Sequence, residues 1–225
     1  MTWHAAGMRK PLEVEIWADV VCPWCYIGKR RFEQALASFP HRDDVRVTLR
    51  SFELDPTPRE ASEGDVAHLL AAKYGMTESE AREAVEGVRR TAQDVDIDMS
   101  EGQRYHGNTR DAHRLLHLAA ERGLQEQLAE AFYKAHFTEG RSLFDADSLA
   151  AIAASVGLDS ADVERVLAGT DYDEAVVADE DLAREFGISG VPFFVFDRRL
   201  GVSGAQPAAL LGDALAQAWD EGLTR

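Results

Sequence analysis

Two cysteines occur in the 225-residue chain, and they stand two residues apart in Cys22-Pro23-Trp24-Cys25. Thiols at this spacing can bond to one another reversibly, which makes the pair a candidate redox centre. Packing alone would explain neither the spacing nor its setting between a strand pattern and a helix pattern. A metal reading needs further ligands. His113 and His117 lie four apart and would share a helix face, giving a nominal Cys2His2 set, but the gap from Cys25 to His113 far exceeds that of compact zinc modules. Asp94, Asp96 and Asp98 suggest a calcium loop, yet Met99 stands where such a loop needs glycine and Tyr105 where it needs glutamate, so they read as a solvated edge.

The elements around the cysteines define their roles. Residues 12–21 alternate, with Leu12, Val14, Ile16, Ala18 and Val20 on one side and Glu13, Glu15, Trp17 and Asp19 on the other, so a strand is predicted there. An amphipathic helix begins near Cys22, has Pro23 in its first turn and runs unbroken to Pro40. A thiol at a helix N-terminus meets unpaired backbone N–H groups and the positive end of the helix dipole, which favour the thiolate. Cys22 is therefore expected to be the nucleophile, open to attack. Cys25, one turn deeper, is expected to be the resolving thiol that attacks a mixed disulfide at Cys22.

Residues 45–53 alternate again and predict a second strand, completing a β-α-β start. The next strand patterns are residues 193–196 and 200–203, followed by a helix over 207–219. Between the halves lie helical patterns at 65–74, from Thr77 with Glu80 as a capping box, at 108–122 with Asn108 as cap, and at 124–137, 147–156, 160–168 and 172–186. The predicted fold class is thus α/β: a thioredoxin fold with a large all-helical insertion between its β-α-β and β-β-α halves. Residues 1–56 and 188–225 would form the discontinuous thioredoxin-like domain and residues 57–187 the helical insertion domain.

Composition bounds the function. The 45% hydrophobic content suffices for a full core without staples. A net charge of −16 disfavours nucleic acid and anionic membranes as partners. Residues 1–10 hold no apolar core of signal-peptide length, Met8 is an alternative start, and no run approaches membrane-spanning length. A cytoplasmic location is expected, where a dithiol stays mostly reduced.

Several motifs together resemble a known family. They are Asp19-Val20-Val21-Cys22-Pro23-Trp24-Cys25-Tyr26-Ile27-Gly28, Ser51-Phe52-Glu53-Leu54-Asp55-Pro56, Asn108-Thr109 with Ala112-His113-Arg114, Gly187-Ile188-Ser189-Gly190-Val191-Pro192-Phe193-Phe194, and Val202-Ser203-Gly204-Ala205-Gln206-Pro207. Over about residues 12–220 the chain resembles the DsbA-like thioredoxin superfamily and, within it, the cytoplasmic FrnE-type branch. The resemblance implies a thiol-disulfide oxidoreductase or isomerase acting on protein or small disulfides. It implies a cis Val191-Pro192 bond beside the Cys22 sulfur, with the Val191 backbone turned toward an extended substrate. Taken alone, Pro192 would read as an ordinary strand-entry proline. Pro23, Trp24, Val191 and Pro192 are the implied substrate contacts on the dithiol side, with His113 and Asn108 on the helical side. By themselves His113 and Arg114 read as surface or interdomain residues, and Asn108 as a cap. No bound cofactor is expected. Glutathione or a separate redox protein would recycle the dithiol, since no third cysteine offers an internal relay.

Two departures from the family pattern matter. Thioredoxin and the periplasmic enzymes typically carry a buried acid six residues before the first cysteine, where this chain has Ile16. Asp19 is the nearest acid and the candidate for proton transfer to and from Cys25; its alternative is a turn or cap residue. Between the cysteines stands Trp24, where the strongly oxidising periplasmic type has histidine, so a more reducing couple is expected. Related hydroxychromene-carboxylate isomerases and kappa-type glutathione transferases carry serine at the Cys22 position, leaving a glutathione-dependent isomerase or transferase as an alternative. A non-enzymatic metal-binding or chaperone-like module is the third reading.

Overall fold

The computed structural model describes residues 10–57, 62–99 and 105–223. Met8, read as an alternative start, lies outside them. The chain begins β1 (Leu12–Ala18), α1 (Pro23–Ala37) and β2 (Val45–Ser51), with β1 and β2 parallel from Leu12↔Val45 to Ala18↔Ser51. It ends with β5 (Phe193–Phe196), β6 (Leu200–Ser203) and α9 (Ala208–Leu223), and β5 pairs antiparallel with both β1 and β6. The sheet order is β2-β1-β5-β6. This is the expected thioredoxin arrangement, split between the two ends of the sequence.

Both faces of β1 are buried, which the alternation did not indicate. Leu12, Val14 and Ile16 pack with Phe32 of α1 and Leu211 and Leu215 of α9. On the opposite face Trp17 is fully buried against Ala183, Ile188 and Val195, and its Nε1 donates to the Asp179 carbonyl at 2.9 Å. Glu15 is also buried and bonded by Arg50 and Arg198, so a face predicted to be polar becomes a second packed layer. β1 also stops at Ala18, not at residue 21, because the chain turns there: the Cys22 N–H bonds the Asp19 carbonyl at 3.1 Å.

The intervening segment contains α2 (Val66–Tyr74), α3 (Glu78–Gln93), α4 (Arg110–Glu121), α5 (Gln125–Phe137), α6 (Ala146–Ser155), α7 (Ser160–Ala168) and α8 (Asp173–Glu185). Local chemistry explains several boundaries. Asp65 caps α2 by accepting from the Ala67 N–H, Gly75 ends it in the left-handed conformation, and Thr77 with Glu80 forms the expected capping box of α3. One element departs from an all-helical insertion: β3 (Ser62–Glu63) pairs antiparallel with β4 (Tyr105–His106). Two-residue strands are too short for an alternating pattern to register.

The helical segment docks directly on α1. Tyr26 stacks on Tyr133 of α5 at 4.9 Å, and its hydroxyl donates to Glu130 at 2.8 Å, while Lys29 also pairs with Glu130 at 3.1 Å. Arg114, read from sequence as a surface or interdomain residue, is buried. Its guanidinium donates to the carbonyls of Val166, Gly169 and Asp171 around the end of α7, where exposed helix carbonyls supply the acceptors that a buried cation requires.

Candidate active site

The turn after β1 delivers Cys22 to the N-cap of α1, with Pro23 in the first turn as its fixed φ and missing N–H allow. The Cys22 carbonyl accepts from the N–H groups of Cys25 and Tyr26, which fixes the two thiols on one helical turn. They are free and 3.4 Å apart. Closing the bond therefore needs a shift of little more than 1 Å, since a disulfide is about 2.0 Å long. Cys25 is 2% exposed, and its thiol is pushed well above the usual range, first by burial and then by the hydrogen bond and charge of Cys22.

Cys22 is less open than expected, at 5% exposure. It faces a cleft of about 480 Å³ instead of the free surface. The floor is formed by Cys22, Pro23, Gly190 and Val191, and the far wall by the α2–α3 pair, including Leu70, Tyr74, Val85 and Val88. This wall explains the reduced exposure. Trp24, Leu54 and Tyr74, three of the large apolar side chains left exposed, all line the cleft, and such a grouping marks a binding surface. Its charged lining consists of Lys73 and Arg89, with no acidic residue among the described ones, despite the acidity of the chain.

The Val191-Pro192 bond is cis, and the Cys22 thiol points at the Val191 carbonyl from 3.8 Å. The Pro192 carbonyl accepts from the Gly204 N–H at 2.8 Å, tying this loop to the end of β6. Gly28 makes the approach possible. A Cβ there would stand 2.8 Å from Pro192 Cγ, so only glycine lets α1 pass this close to the loop. A glycine inside an amphipathic helix was the available sequence signal.

Cys22, Cys25, Pro23, Trp24, Val191 and Pro192 thus converge, whereas His113 and Asn108 do not reach the cleft wall. His113 is sealed in the core at 1% exposure, with Nε2 3.5 Å from Asp19 Oδ1, and neither ring nitrogen has a hydrogen-bond partner among the described residues. Asn108 precedes the N-cap, which is Thr109. Its Oδ1 accepts from the Arg110 N–H at 2.9 Å and its amide donates to Glu53 at 2.7 Å, so its polar atoms are committed. Asp19 is equally buried and its Oδ2 accepts from the Leu54 N–H at 2.8 Å. Glu53, which sequence reading passed over, links Asn108 to Arg110, and burial pushes its carboxyl upward against the pull of both partners. His117 is turned to other partners, Ser51 at 3.1 Å and Asp179 at 3.3 Å, so the two histidines do not converge with the cysteines. Among the described residues no group of three His, Cys, Asp or Glu side chains is arranged to hold a metal, nor is any helix long and apolar enough to cross a membrane.

Comparison with known proteins agrees with this geometry. A solved structure described as a "probable DsbA oxidoreductase" from Streptomyces coelicolor is 48% identical, with a TM-score of 0.89 over 93% of this chain and 91% of that one. An uncharacterized protein of Bacillus subtilis, YwbO, is 26% identical over 186 residues, 82% of this chain and 86% of its own length. The fold is shared at 17% identity and TM-score 0.65 by the cytosolic disulfide reductase DsbM of Pseudomonas aeruginosa, solved with GSH (92% of this chain, 98% of that one), and by a 2-hydroxychromene-2-carboxylate isomerase (94% and 98%). Residues 13–216 match the family model of the DSBA-like thioredoxin domain. With its paired thiols at the head of α1 and the cis-proline loop beside them, the chain belongs to the DsbA-like thioredoxin family.

Proposed function

We propose that the protein is a thiol-disulfide oxidoreductase in which Cys22 is the nucleophile and Cys25 the resolving thiol. The observation that carries this reading is the meeting of two free thiols, 3.4 Å apart, with a cleft that only one of them lines. In the reductive direction the Cys22 thiolate attacks a substrate disulfide, forming a mixed disulfide and releasing one substrate thiolate. Cys25 then attacks Cys22 Sγ, the second substrate sulfur leaves, and the protein carries away the oxidised pair. Oxidation of a substrate dithiol runs the same steps backward.

Val191 would pair through its backbone with an extended substrate segment, and Trp24 with Pro23 would flank the reacting sulfur. The apolar cleft suits a substrate that presents apolar groups next to its disulfide. Glutathione is the proposed recycling thiol, and the FrnE-type assignment with a cytoplasmic place of action belongs to the same reading, supported by the motifs around both cysteines and Pro192. Turnover of insulin disulfides with glutathione as reductant tests it. Activity should fall below detection in Cys22→Ser, while Cys25→Ser should accumulate a mixed disulfide at Cys22.

The cleft supports a second reading, a glutathione-dependent isomerase or transferase acting on a small anionic apolar molecule, because Lys73 and Arg89 are its charged lining. Isomerase or transferase activity that survives Cys22→Ser, with no disulfide turnover in the wild type, would favour it. A thiol at position 22 would tend toward a mixed disulfide with glutathione, so redox turnover is the reading retained.

A further inference from the structure

At the turn that leads into the dithiol a carboxylate and an imidazole meet, both 1% exposed, with His113 Nε2 and Asp19 Oδ1 3.5 Å apart. Asp19 is built into the thiol turn. Its carbonyl accepts from the Cys22 N–H at 3.1 Å and the Tyr133 hydroxyl at 3.4 Å, and its charge acts on the Cys25 thiol. Its carboxylate is oriented by the N–H groups of Leu54 at 2.8 Å and Val21 at 3.4 Å. Neither ring nitrogen of His113 has a partner among the described residues, although an unpaired buried polar atom is costly. The carboxylate is thus held in place by the backbone, while no bond fixes the imidazole that stands 3.5 Å from it.

Resting on the dithiol reading, we propose that Asp19 and His113 act together as the proton acceptor for Cys25, replacing an acid that Ile16 cannot supply. In the mixed disulfide at Cys22, the Cys25 S–H bond breaks and its proton passes to the pair. The Cys25 sulfur bonds Cys22 Sγ, and the substrate sulfur departs as a thiolate with the electrons of the broken disulfide. In the reverse reaction the pair returns the proton to Cys25.

The titratable groups facing the pair are Cys22 and Cys25 on α1, Tyr133 and His136 on α5, and Glu53 after β2. Two of these are poor competitors for the proton. Burial pushes the Tyr133 phenol well above its ordinary range, keeping it protonated, and drives His136 down to about 4, making it a weak base. Glu53 lies on the far side, within the electrostatic reach of His113, and is bonded to Arg110 at 2.9 Å, whose side chain is partly exposed.

The test separates the two thiol steps. The reduced full-length chain is mixed with one equivalent of dithiobis(nitrobenzoic acid), whose coloured thiolate is released once when Cys22 attacks and again when Cys25 resolves the mixed disulfide. Asp19→Asn and His113→Gln should each leave the first phase within about twofold of wild type and slow the second about ten- to a hundredfold. The pH at which the second phase reaches half its maximum should rise by about one unit or more in both. An unchanged second phase in His113→Gln overturns the pair, as does an equal slowing of both phases with an unmoved pH profile, which marks a structural role. An intact first phase reports a folded thiol site, and if Asp19→Asn fails to fold, His113→Gln decides alone. Absence of any release by the wild type would overturn the dithiol reading itself and this inference with it.

Discussion

One turn apart on α4, His113 and His117 each lie against a buried aspartate, yet their surroundings differ sharply. The Asp179 carboxylate beside His117 also accepts from Arg50 at 2.8 Å and the Ser51 N–H at 2.9 Å, and His117 lies within hydrogen-bond distance of Ser51. Arg50 continues the chain to Glu15, which Arg198 closes. Burial raises the Asp179 carboxyl, but the bonds from His117 and Ser51 and the charge of Arg50 outweigh it and hold the group below its ordinary value. Every charge in that network has a counterpart. The Asp19–His113 side has a 3.5 Å approach and no bond to the ring. The lesson is that burial of a histidine with an acid does not define its role; satisfaction of its hydrogen bonds does. A satisfied network orders the fold, and an unsatisfied one beside a thiol is available for chemistry.

Removing each aspartate should break the comparison most directly. Asp179→Ala leaves Arg50 and the Ser51 N–H without their shared acceptor and should cost about 3–5 kcal/mol in denaturant unfolding, while the folded fraction keeps its thiol reactivity. Asp19→Asn retains one oxygen acceptor and should cost only about 1 kcal/mol. The reverse ranking would contradict the division into an ordering network and a reactive one.

Acidification should resolve the regions next. The folded value of His136 is lowered to about 4, so between about 6.5 and 4 the unfolded chain binds a proton that the folded chain refuses. Its contribution is full above about 6.5 and is lost as pH falls toward 4, a span of about 3 kcal/mol at most. Asp179, whose folded carboxyl is depressed, contributes above its unfolded value near 3.8 and loses that contribution as pH falls further through its folded value. Unfolding free energy measured against pH should therefore fall in two stages, the first of them removed in His136→Gln. A single fall confined below pH 4 would contradict the first stage.

A smaller effect is expected at the loop beside the cysteines. In Gly28→Ala the new methyl meets Pro192, so Val191 must shift and disulfide turnover should drop about tenfold, even though alanine favours the helix by about 1 kcal/mol. Unchanged turnover would show that the close packing of α1 against the loop does not position the backbone of Val191.

What the sequence made legible was local. The two-residue thiol spacing, the proline in the first turn, the Thr77–Glu80 capping box and the alternation in β1 and β2 all depend on neighbours within a few positions. Illegible were properties set by distant partners. Arg114 appears superficial until the end of α7 covers it with carbonyls, and His113 becomes buried only when α4 packs beneath the turn that ends β1. Trp17 and Glu15 alternate correctly, but α8 and Arg198, more than 160 residues downstream, decide that both are covered. The cleft wall is likewise formed by α2 and α3, whose apolar residues carry no sign that they will face a thiol.

The central claim is that Cys22 and Cys25 form a reversible redox couple with the outer sulfur reactive. Equilibration against defined ratios of reduced and oxidised glutathione, read by mass spectrometry after acid quenching and alkylation, tests it most directly. The account predicts interconversion of a dithiol and an intramolecular disulfide, a glutathione adduct confined to Cys22 as the intermediate, and a midpoint more reducing than about −120 mV, the strongly oxidising periplasmic value. Two thiols that stay unbonded at every ratio, or an adduct on Cys25 in place of Cys22, would contradict it.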